Sequence, residues 1–231
     1  MNQQQVTMGI VLARVDYGEA DRIITFLTPE AGKLRLIAKG VRRVKSKLAG
    51  GVELFSVTNL TYVKGRGDIG TLVSARLTTH YGHIVQDINR TMLGYDVIRR
   101  LNKMTEDEPE VGYFHVLEAI FKALDDPTIN LELVRLWFTA QLLKLGGYEP
   151  NLQTEPDGTR LSANQRYEFS FDDSAFIARP DAPYDAATIK FLRLVFSGAT
   201  PGALQKVNGV AQLVVATGQL IALFARQYSH D

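Results

Sequence analysis

The sequence predicts an α+β protein in which a small barrel of five strands is followed by a bundle of helices. In the first 80 residues, runs of apolar and β-branched residues alternate with turns rich in Gly, Pro and Asp, which is the pattern of short strands. After residue 82 the apolar residues recur at spacings of three and four, which is the period of a helix. A chain of 231 residues with 45% hydrophobic residues is long enough to bury a substantial core.

Five strands follow from the apolar runs of the first part. They are expected at residues 8–15, 22–28, 33–40, 52–64 and 70–78, with turns at 16–19, 29–32 and 65–68. Because the strands are short and no long helix separates them, they favour a small barrel. We expect the strands to form one domain over residues 1–81 and the helices to form a second domain over residues 82–231.

Three apolar stripes at helical spacing predict the first three helices, and each stripe is expected to face a core. They consist of Ile84, Ile88, Met92, Tyr95, Ile98 and Leu101, then Val111, Phe114, Leu117, Phe121 and Leu124, and then Leu133, Trp137, Gln141 and Leu145. Asp185 is expected to cap a helix over 186–197. Thr200 and Pro201 form a cap followed by a first helical residue, so they predict the start of the next helix.

The last predicted helix, over residues 209–228, is apolar nearly all round. Because Gln212, Gln219 and Arg226 interrupt it, we expect it at the centre of the helical bundle rather than in a membrane. Residues 148–183 are rich in loops, with a small hairpin expected near 167–177. The amino terminus lacks the basic-then-apolar layout of a secretory signal, so a cytoplasmic protein is expected.

The net charge of +1 hides an asymmetry between the two parts of the chain. Residues 1–81 contain twelve Lys and Arg against six Asp and Glu, a balance of +6, and the remaining residues have a balance of −5. The excess is concentrated between residues 33 and 47, where no acidic residue occurs. Such a run is typical of a surface that binds a polyanion. The alternative is a solvated loop whose charges serve solubility alone.

The third strand places several of these cations on one face. Because side chains alternate along a strand, Leu34, Leu36 and Ala38 are expected on one side, with the cations and Ile37 on the other. Crowded charges of one sign repel, so a single-sign face favours a binding role over solubility. The candidate binding residues on this strand and the following loop are Lys33, Arg35, Lys39, Arg42, Arg43, Lys45 and Lys47.

A small barrel with a cationic outer face is typical of proteins that bind single-stranded nucleic acid, in which rings stack on the bases. The candidate rings are Tyr17, Phe26, Phe55 and Tyr62. Core packing is the alternative role for each ring, and it is favoured for Phe26 and Phe55. Most of the affinity is expected to come from Lys and Arg, and therefore to fall steeply with salt.

The sequence offers no recognisable catalytic or metal-binding motif. The absence of cysteine excludes a disulfide framework, a Cys-ligated zinc site and a cysteine nucleophile. His80 and His83 are spaced H-x-x-H, but no third ligand lies at a matching position nearby. Neither a phosphate-binding glycine motif nor a G-x-S-x-G elbow occurs. We therefore expect no enzymatic activity, no cofactor and no metal.

Several motifs resemble the RecO family of bacterial recombination mediators. They are G-I-V-L at 9–12, Y-G-E-A-D-R-I-I-T-F-L-T at 17–28, P-E-A-G-K-L-R-L-I-A-K-G-V-R-R at 29–43 and G-G-Y-E-P-N-L at 146–152. The pattern G-x-L-x-x-x-A-K-G-x-R-x, from Gly32 to Arg43, is the most specific of them. The resemblance covers essentially the whole chain.

The resemblance implies an OB-fold joined to a helical domain in a nucleoid-associated protein of the cytoplasm. It implies binding of single- and double-stranded DNA and annealing of complementary strands. It also implies a complex with RecR that helps to place RecA on DNA coated by the single-strand-binding protein. The residues that match the family's DNA-binding surface are Lys33, Arg35, Lys39, Arg42, Arg43, Lys45 and Lys47, which the charge pattern had also selected.

The chain departs from the family in the loop-rich segment 148–183. Many members carry C-x-x-C twice after the G-G-Y-x-P motif, as a tetrahedral zinc site. Aligned by Gly158, the first pair falls on Thr154 and Asp157, and the second falls near Ala178 and Asp181. These side chains do not form a structural zinc site. We therefore predict a zinc-loop-like insertion without zinc, which packing alone must order.

Family analogy suggests one further partner, and two other functions remain open. A hydrophobic groove in the helical part, edged by cations, is expected to accept the acidic tail of the single-strand-binding protein. Its candidate residues are Arg99, Arg100, Lys103, Lys122 and Arg135.

The first alternative function is a general OB-fold module that binds RNA. The second is an enzyme or scaffold that uses the helical half, with the basic patch incidental.

Overall fold

A computed structural model describes residues 3–65, 67–105 and 111–228. By its internal contacts the chain divides into two compact units, Met1–Pro127 and Thr128–Asp231. Among the described residues, the first unit contains five strands and two long helices, and the second contains four helices and a two-stranded hairpin. The five strands thus end at His80 and helices follow, whereas the boundary between the two compact units lies after Pro127. The first two long helices therefore belong to the same unit as the strands.

The first unit begins with the five predicted strands. They are β1 (Gln4–Tyr17), β2 (Asp21–Thr28), β3 (Gly32–Ala38), β4 (Ser56–Val63) and β5 (Ile69–His80). Their order is β1-β2-β3-β5-β4, and β4 pairs with β1, so the sheet closes on itself. Only the pairing of β3 with β5 is parallel among these strands. Arg66, in the predicted turn at 65–68, lies outside the described residues.

Strand β4 starts later than predicted, at Ser56 rather than at residue 52. A short 3₁₀ turn, Ala49–Gly51, precedes it, and Phe55 has a φ of 55°. A positive φ is incompatible with extended backbone, so the apolar run does not continue as a strand through this residue. The Phe55 ring is instead buried against Tyr95 and Phe121, with ring centroids 5.3 and 5.4 Å away.

The barrel interior is apolar and follows the alternation predicted for β3. Leu36 and Ala38 are fully buried, and Leu34 packs against the same cluster. The buried members of this cluster are Val11, Ile24, Phe26, Leu36, Ala38, Val41, Val52, Leu60, Tyr62 and Leu72. Val41 belongs to the loop after β3, so this loop is anchored in the barrel core.

Helices α1 (Ile88–Met104) and α2 (Val111–Asp125) complete the first unit. The predicted stripe of α1 is wrong in part, because Ile88, Met92 and Tyr95 are at least half exposed. The helix buries a neighbouring face, whose apolar residues are Leu93, Val97, Ile98 and Leu101. Gly94 explains this orientation, since a Cβ there would lie 2.6 Å from the Phe55 ring and only glycine permits this close packing.

Arg90 joins the start of α1 to the end of α2 inside the first unit. It is 8% exposed. Its Nη1 donates to the carbonyl oxygens of Leu124 and Asp126, at 3.1 and 2.8 Å, and its Nη2 donates to that of Pro127 at 3.0 Å. Carbonyls at a helix carboxyl end lack partners within the helix, so this guanidinium satisfies the end of α2.

The second unit contains α3 (Leu131–Leu145), β6 (Tyr167–Ser170), β7 (Ala175–Ala178), α4 (Ala186–Ser197), α5 (Pro201–Leu204) and α6 (Val210–Tyr228). Both predicted caps are confirmed. The side chain of Asp185 accepts from the backbone N–H of Thr188, and that of Thr200 accepts from Ala203. The predicted hairpin is also confirmed, as β6 and β7 pair antiparallel.

Helix α6 is not buried all round, so the prediction that it forms the centre of a bundle is wrong. It buries one face, formed by Val214, Thr217, Leu220, Ile221 and Phe224. The opposite face is exposed, with Val215 at 80% and Leu223 at 47% exposure, and it also carries Gln212, Gln219 and Arg226. Among the described residues, α6 is the one helix whose length and composition would allow it to cross a membrane, with 28% of the qualifying window buried.

Candidate nucleic-acid interface

Most of the predicted cations lie on the loop that follows β3, here called the basic loop (residues 39–47). Lys39, Arg42, Arg43, Lys45 and Lys47 are all exposed on it. Within residues 3–65, 67–105 and 111–228, the structure gives no ion pair to any of these five except Arg42. The loop therefore presents a surface of one sign to solvent.

The basic loop is fixed by the turn between β1 and β2. The backbone N–H of Gly40 donates to Asp21 Oδ1 at 2.7 Å, and that of Arg42 donates to the carbonyl of Ala20 at 3.0 Å. Gly40 has a φ of 64°, a conformation that glycine adopts at no steric cost. A fixed loop backbone loses little conformational freedom on binding, so the backbone that carries these cations is preorganised at Gly40 and Arg42.

Asp16, at the end of β1, holds two arginines beside this loop. Its carboxylate lies 2.7 Å from Arg22 Nε and 3.5 Å from Arg42 Nη1. The hydrogen bond from Arg22, followed by the charge of Arg42, holds the pKa of Asp16 below its ordinary value of 3.8. The carboxylate is therefore ionised at neutral pH, and it orients Arg42 while offsetting part of its charge.

The two cations of β3 have different surroundings. The side chain of Arg35 is 40% exposed, and its Nη2 lies 3.7 Å from Asp68 Oδ2 in the turn between β4 and β5. Lys33 points to a different element, because its Nζ donates to the carbonyl of Asn102, near the end of α1, at 2.6 Å. The structure thus groups five of the seven predicted cations on the basic loop and separates Lys33 from them.

The outer face of the barrel near Arg35 contains no aromatic side chain at the paired positions. Arg35 pairs with Thr25 on β2 and with Ile69 on β5, and Ile37 pairs with Ile23 and Thr71. Phe26, Phe55 and Tyr62 are all buried in the first unit, so core packing is confirmed for these three rings. Tyr17 is 54% exposed at the end of β1 and is the one candidate ring available to stack on a base.

Two further side chains near this surface were missed from the sequence. Arg22 was not selected, because its partnership with Asp16 depends on the register of β1 and β2. Lys64 is exposed in the turn that also contains Asp68, the partner of Arg35. In the sequence, Lys64 is seen only as a cation near the turn between β4 and β5. Its relation to Arg35 becomes visible only once β5 is known to pair with β3.

Helix α1 and the 3₁₀ turn before it, Ile84–Gln86, carry a second exposed surface, here called the α1 surface (residues 85–103). Its apolar part consists of Val85, Ile88, Met92 and Tyr95, which are 50–70% exposed. Arg99, Arg100 and Lys103 follow towards the end of the helix and are exposed. Asp96 pairs with both arginines. Of the other cations predicted for the groove, Lys122 lies on α2, while Arg135 belongs to the second unit and pairs with Glu132.

The positions that align with family zinc ligands do not suit a metal. Thr154 Oγ1 accepts from Asn151 Nδ2 at 2.9 Å, and Asp157 Oδ1 accepts from the N–H of Thr159 at 2.9 Å. The side chain of Ala178 has no atom that could bind a metal ion. Among the described residues, no group of three or more His, Cys, Asp or Glu is placed to hold a metal ion.

The fold and its charges define a class of protein, a mixed α+β chain in which five strands with a cationic loop precede a helical region. Two family models cover nearly all of it. The model described as recombination protein O, N terminal, matches residues 1–81, and the model described as recombination protein O, C terminal, matches residues 86–230. The chain belongs to the RecO family of DNA repair proteins.

Proteins named DNA repair protein RecO are similar to the chain over most of its length. The one from Dehalococcoides mccartyi is 28% identical over 212 residues, which are 87% of this chain and 82% of the relative. The one from Desulfatibacillum aliphaticivorans is 29% identical over 149 residues, and the one from Halalkalibacterium halodurans is 32% identical over 145 residues. The matched regions of this chain span less than two thirds of these last two relatives, 58% and 56% of their lengths.

Proposed function

We propose that the barrel is an OB-fold that binds single- and double-stranded DNA through the basic loop and Arg35. The observation that supports this most is the set of five exposed cations on a loop fixed by Asp21 and Ala20. The strand order β1-β2-β3-β5-β4 with closure onto β1 agrees with a five-stranded OB barrel, whose ligands bind near strands 2 and 3 and the adjacent loops. Arg35 and the turn at Asp68 lie in that region.

Phosphate contacts are expected to dominate this binding. Lys and Arg neutralise phosphates and release counterions, so affinity falls with salt. Sequence reading in a groove requires a helix or ribbon with side chains aimed at base edges, and the outer positions of β2 and β3 offer mainly Thr, Ile and Arg. The mode of binding is therefore independent of sequence, and Tyr17 is the ring that we expect to stack on an unpaired base.

From this mode of binding we propose annealing of complementary strands without an enzymatic step. A surface that neutralises phosphates reduces the repulsion between two strands. Because the protein contacts the phosphates rather than the base edges, the bases remain free to pair. With RecR, the chain is proposed to promote loading of RecA onto DNA coated by single-strand-binding protein. We place this activity in the cytoplasm, at the nucleoid, with no membrane partner and no cofactor.

The α1 surface is proposed to bind the acidic tail of the single-strand-binding protein. Its apolar part suits apolar side chains of a peptide, and Arg99, Arg100 and Lys103 suit carboxylates. Changing both Arg99 and Lys103 to Ala is expected to weaken binding of a tail peptide at least fivefold in fluorescence anisotropy. Equal binding by wild type and variant would contradict this assignment. The matched control changes Lys190 and Lys206, two exposed cations of the second unit, to Ala and should bind the peptide as the wild type does.

RNA binding is the alternative to DNA binding, because phosphate contacts alone do not distinguish the two sugars. Competition between labelled single-stranded DNA and RNA of the same sequence separates the two functions. We expect DNA to compete at least as well as RNA. A clear preference for RNA would favour the general RNA-binding module.

The experiment that tests the proposed function is strand annealing in the presence of single-strand-binding protein. We expect the wild-type chain to accelerate annealing of complementary oligonucleotides. A variant with Arg42, Arg43 and Lys45 changed to Ala is expected to lose most of this acceleration while remaining folded. Annealing that is unaffected by these changes would show that another surface acts.

A further inference from the structure

In the second unit, a carboxylate joins a turn to the end of a strand that lies 23 residues further along the sequence. Glu155 Oε2 accepts a hydrogen bond from the backbone N–H of Ala178 at 2.8 Å. Glu155 belongs to the turn at 154–160, and Ala178 ends β7. These are the two places at which the family pattern would put paired cysteines, and the side chains present there do not suit a metal.

The first turn is ordered by its own hydrogen bonds. The N–H of Glu155 donates to the carbonyl of Thr159 at 2.7 Å, and the N–H of Gly158 donates to that of Glu155 at 3.0 Å. Thr154 and Arg160 form an antiparallel bridge across it. Hydrogen bonds from Thr159 lower the pKa of Asp157, whose carboxylate closes the turn. The Glu155 side chain therefore extends from a backbone that these hydrogen bonds hold in place.

The approach to this turn is also fixed. Asn151 Oδ1 accepts from the N–H groups of Gln153 and Thr154, at 3.0 and 3.1 Å. The N–H of Asn151 donates to the carbonyl of Ser174 at 2.8 Å, just before β7. This contact and the Glu155 contact attach the segment to the two ends of the same strand.

An aromatic cluster lies beneath the hairpin. Tyr167, Phe169 and Phe176 are buried, and the centroids of the Phe169 and Phe176 rings are 5.1 Å apart. Phe224 of α6 packs its ring edge against Phe169 at 5.5 Å. Burial of these rings stabilises the segment, but the hydrophobic effect is not directional and does not by itself fix where the turn lies. The hydrogen bond to Glu155 is directional, and it fixes the position of the turn at 154–160 against β7.

We infer that the Glu155 carboxylate cross-links the turn at 154–160 to the end of β7 in the role that a metal ion would otherwise have, so that this segment is ordered without metal or thiol. A bond from an N–H to a carboxylate is stronger than one between neutral groups, and it needs one side chain rather than four. Together with the absence of cysteine, this makes the segment independent of zinc supply and of thiol oxidation.

Hydrogen–deuterium exchange of the full chain tests this inference. We expect Glu155→Ala to accelerate exchange of the Ala178 amide at least about tenfold, because its acceptor is removed. Glu155→Gln keeps an acceptor oxygen and is expected to give a smaller acceleration. Glu149→Ala, which removes an exposed carboxylate of the same segment, is the matched control and should leave this amide unchanged.

Metal content gives a second, independent readout. After expression with added zinc, native mass spectrometry is expected to show no bound zinc, and a chelator is expected to leave the melting temperature unchanged. Stoichiometric zinc would overturn the inference. Unchanged exchange of the Ala178 amide in Glu155→Ala would also overturn it.

Discussion

The Nζ of Lys33 donates a hydrogen bond to the carbonyl oxygen of Asn102 at 2.6 Å. This bond connects the start of β3 to the last turn of α1, within the first unit. A cation at a helix carboxyl end is stabilised by unpaired carbonyls and by the helix dipole. Lys33 therefore has a structural partner on a helix, whereas among the described residues Arg42 is the one cation of the basic loop with an ion pair, to Asp16.

Lys33→Met is expected to lower the free energy of unfolding by about 1–2 kcal/mol, because it removes a charge-assisted bond and keeps the apolar stem. Its effect on DNA affinity is expected to be smaller than that of Arg43→Met. Urea unfolding and DNA titration of the two variants measure both quantities. A Lys33 variant of normal stability but much weaker DNA binding would contradict this role.

Asp16→Asn is expected to strengthen DNA binding about two- to fivefold at low salt. The substitution keeps the shape of the side chain and removes the negative charge beside Arg22 and Arg42. The gain should disappear as salt is raised, because the site is exposed. Equal affinity of the two proteins at low salt would show that Arg42 does not approach DNA. Glu19→Gln, an exposed change in the adjacent turn, controls for net charge.

Ionisation of the buried Tyr81 is expected to lower the stability of the fold at alkaline pH. Burial, followed by the charges of Glu118 and Asp125, raises its pKa from 10.0 to about 12. A raised folded-state pKa contributes stability that is complete below pH 10 and is lost as pH rises through about 12. Tyr81→Phe is expected to flatten the fall of the melting temperature across this window. The same fall in both proteins would contradict this account.

Arg90→Ala is expected to destabilise the first unit by about 3 kcal/mol, because it removes the buried guanidinium that donates to the carbonyls at the end of α2. Arg90→Lys is expected to recover little of this loss, since one ammonium does not reproduce the planar fork. Thermal unfolding measures both variants. Lys122→Ala, an exposed change on α2, is the control, and a loss below about 0.5 kcal/mol for Arg90→Ala would contradict the capping role.

Elements with local signals were predictable from the sequence. The hairpin at β6 and β7 and the caps Asp185 and Thr200 depend on residues close in the chain, and the structure has them as expected. Alternation along β3 correctly separated Leu36 and Ala38 from the cations. These features follow from strand period, turn residues and side-chain capping, which require no knowledge of the rest of the fold.

Features that depend on packing were not predictable. Ile88, Met92 and Tyr95 fit a helical stripe as well as the buried residues of α1 do, and the contact between Gly94 and Phe55 decides which face is inside. The start of β4 depends on the positive φ of Phe55. For α6, composition alone does not show that only one face is covered.

The same distinction applies to the candidate interface. The cations were found by their sign and spacing, because no acidic residue occurs among them. The hydrogen bond between Gly40 and Asp21, which fixes the basic loop, joins residues 19 positions apart and depends on the register of the strands. The bond from Lys33 to Asn102 spans 69 positions, so the separate role of Lys33 had no local signal.

The most direct test is the salt dependence of single-stranded DNA binding by the wild type and by a variant with Arg42, Arg43 and Lys45 changed to Ala. Five neutralised phosphates predict a log–log slope of about −3 to −4 for the wild type, and three lost contacts reduce its magnitude by about 2. A variant with Lys190, Lys206 and Arg226 changed to Ala has the same change in charge at exposed sites of the second unit, and it should keep the wild-type slope. A flat wild-type response, or equal slopes for both variants, would contradict the account.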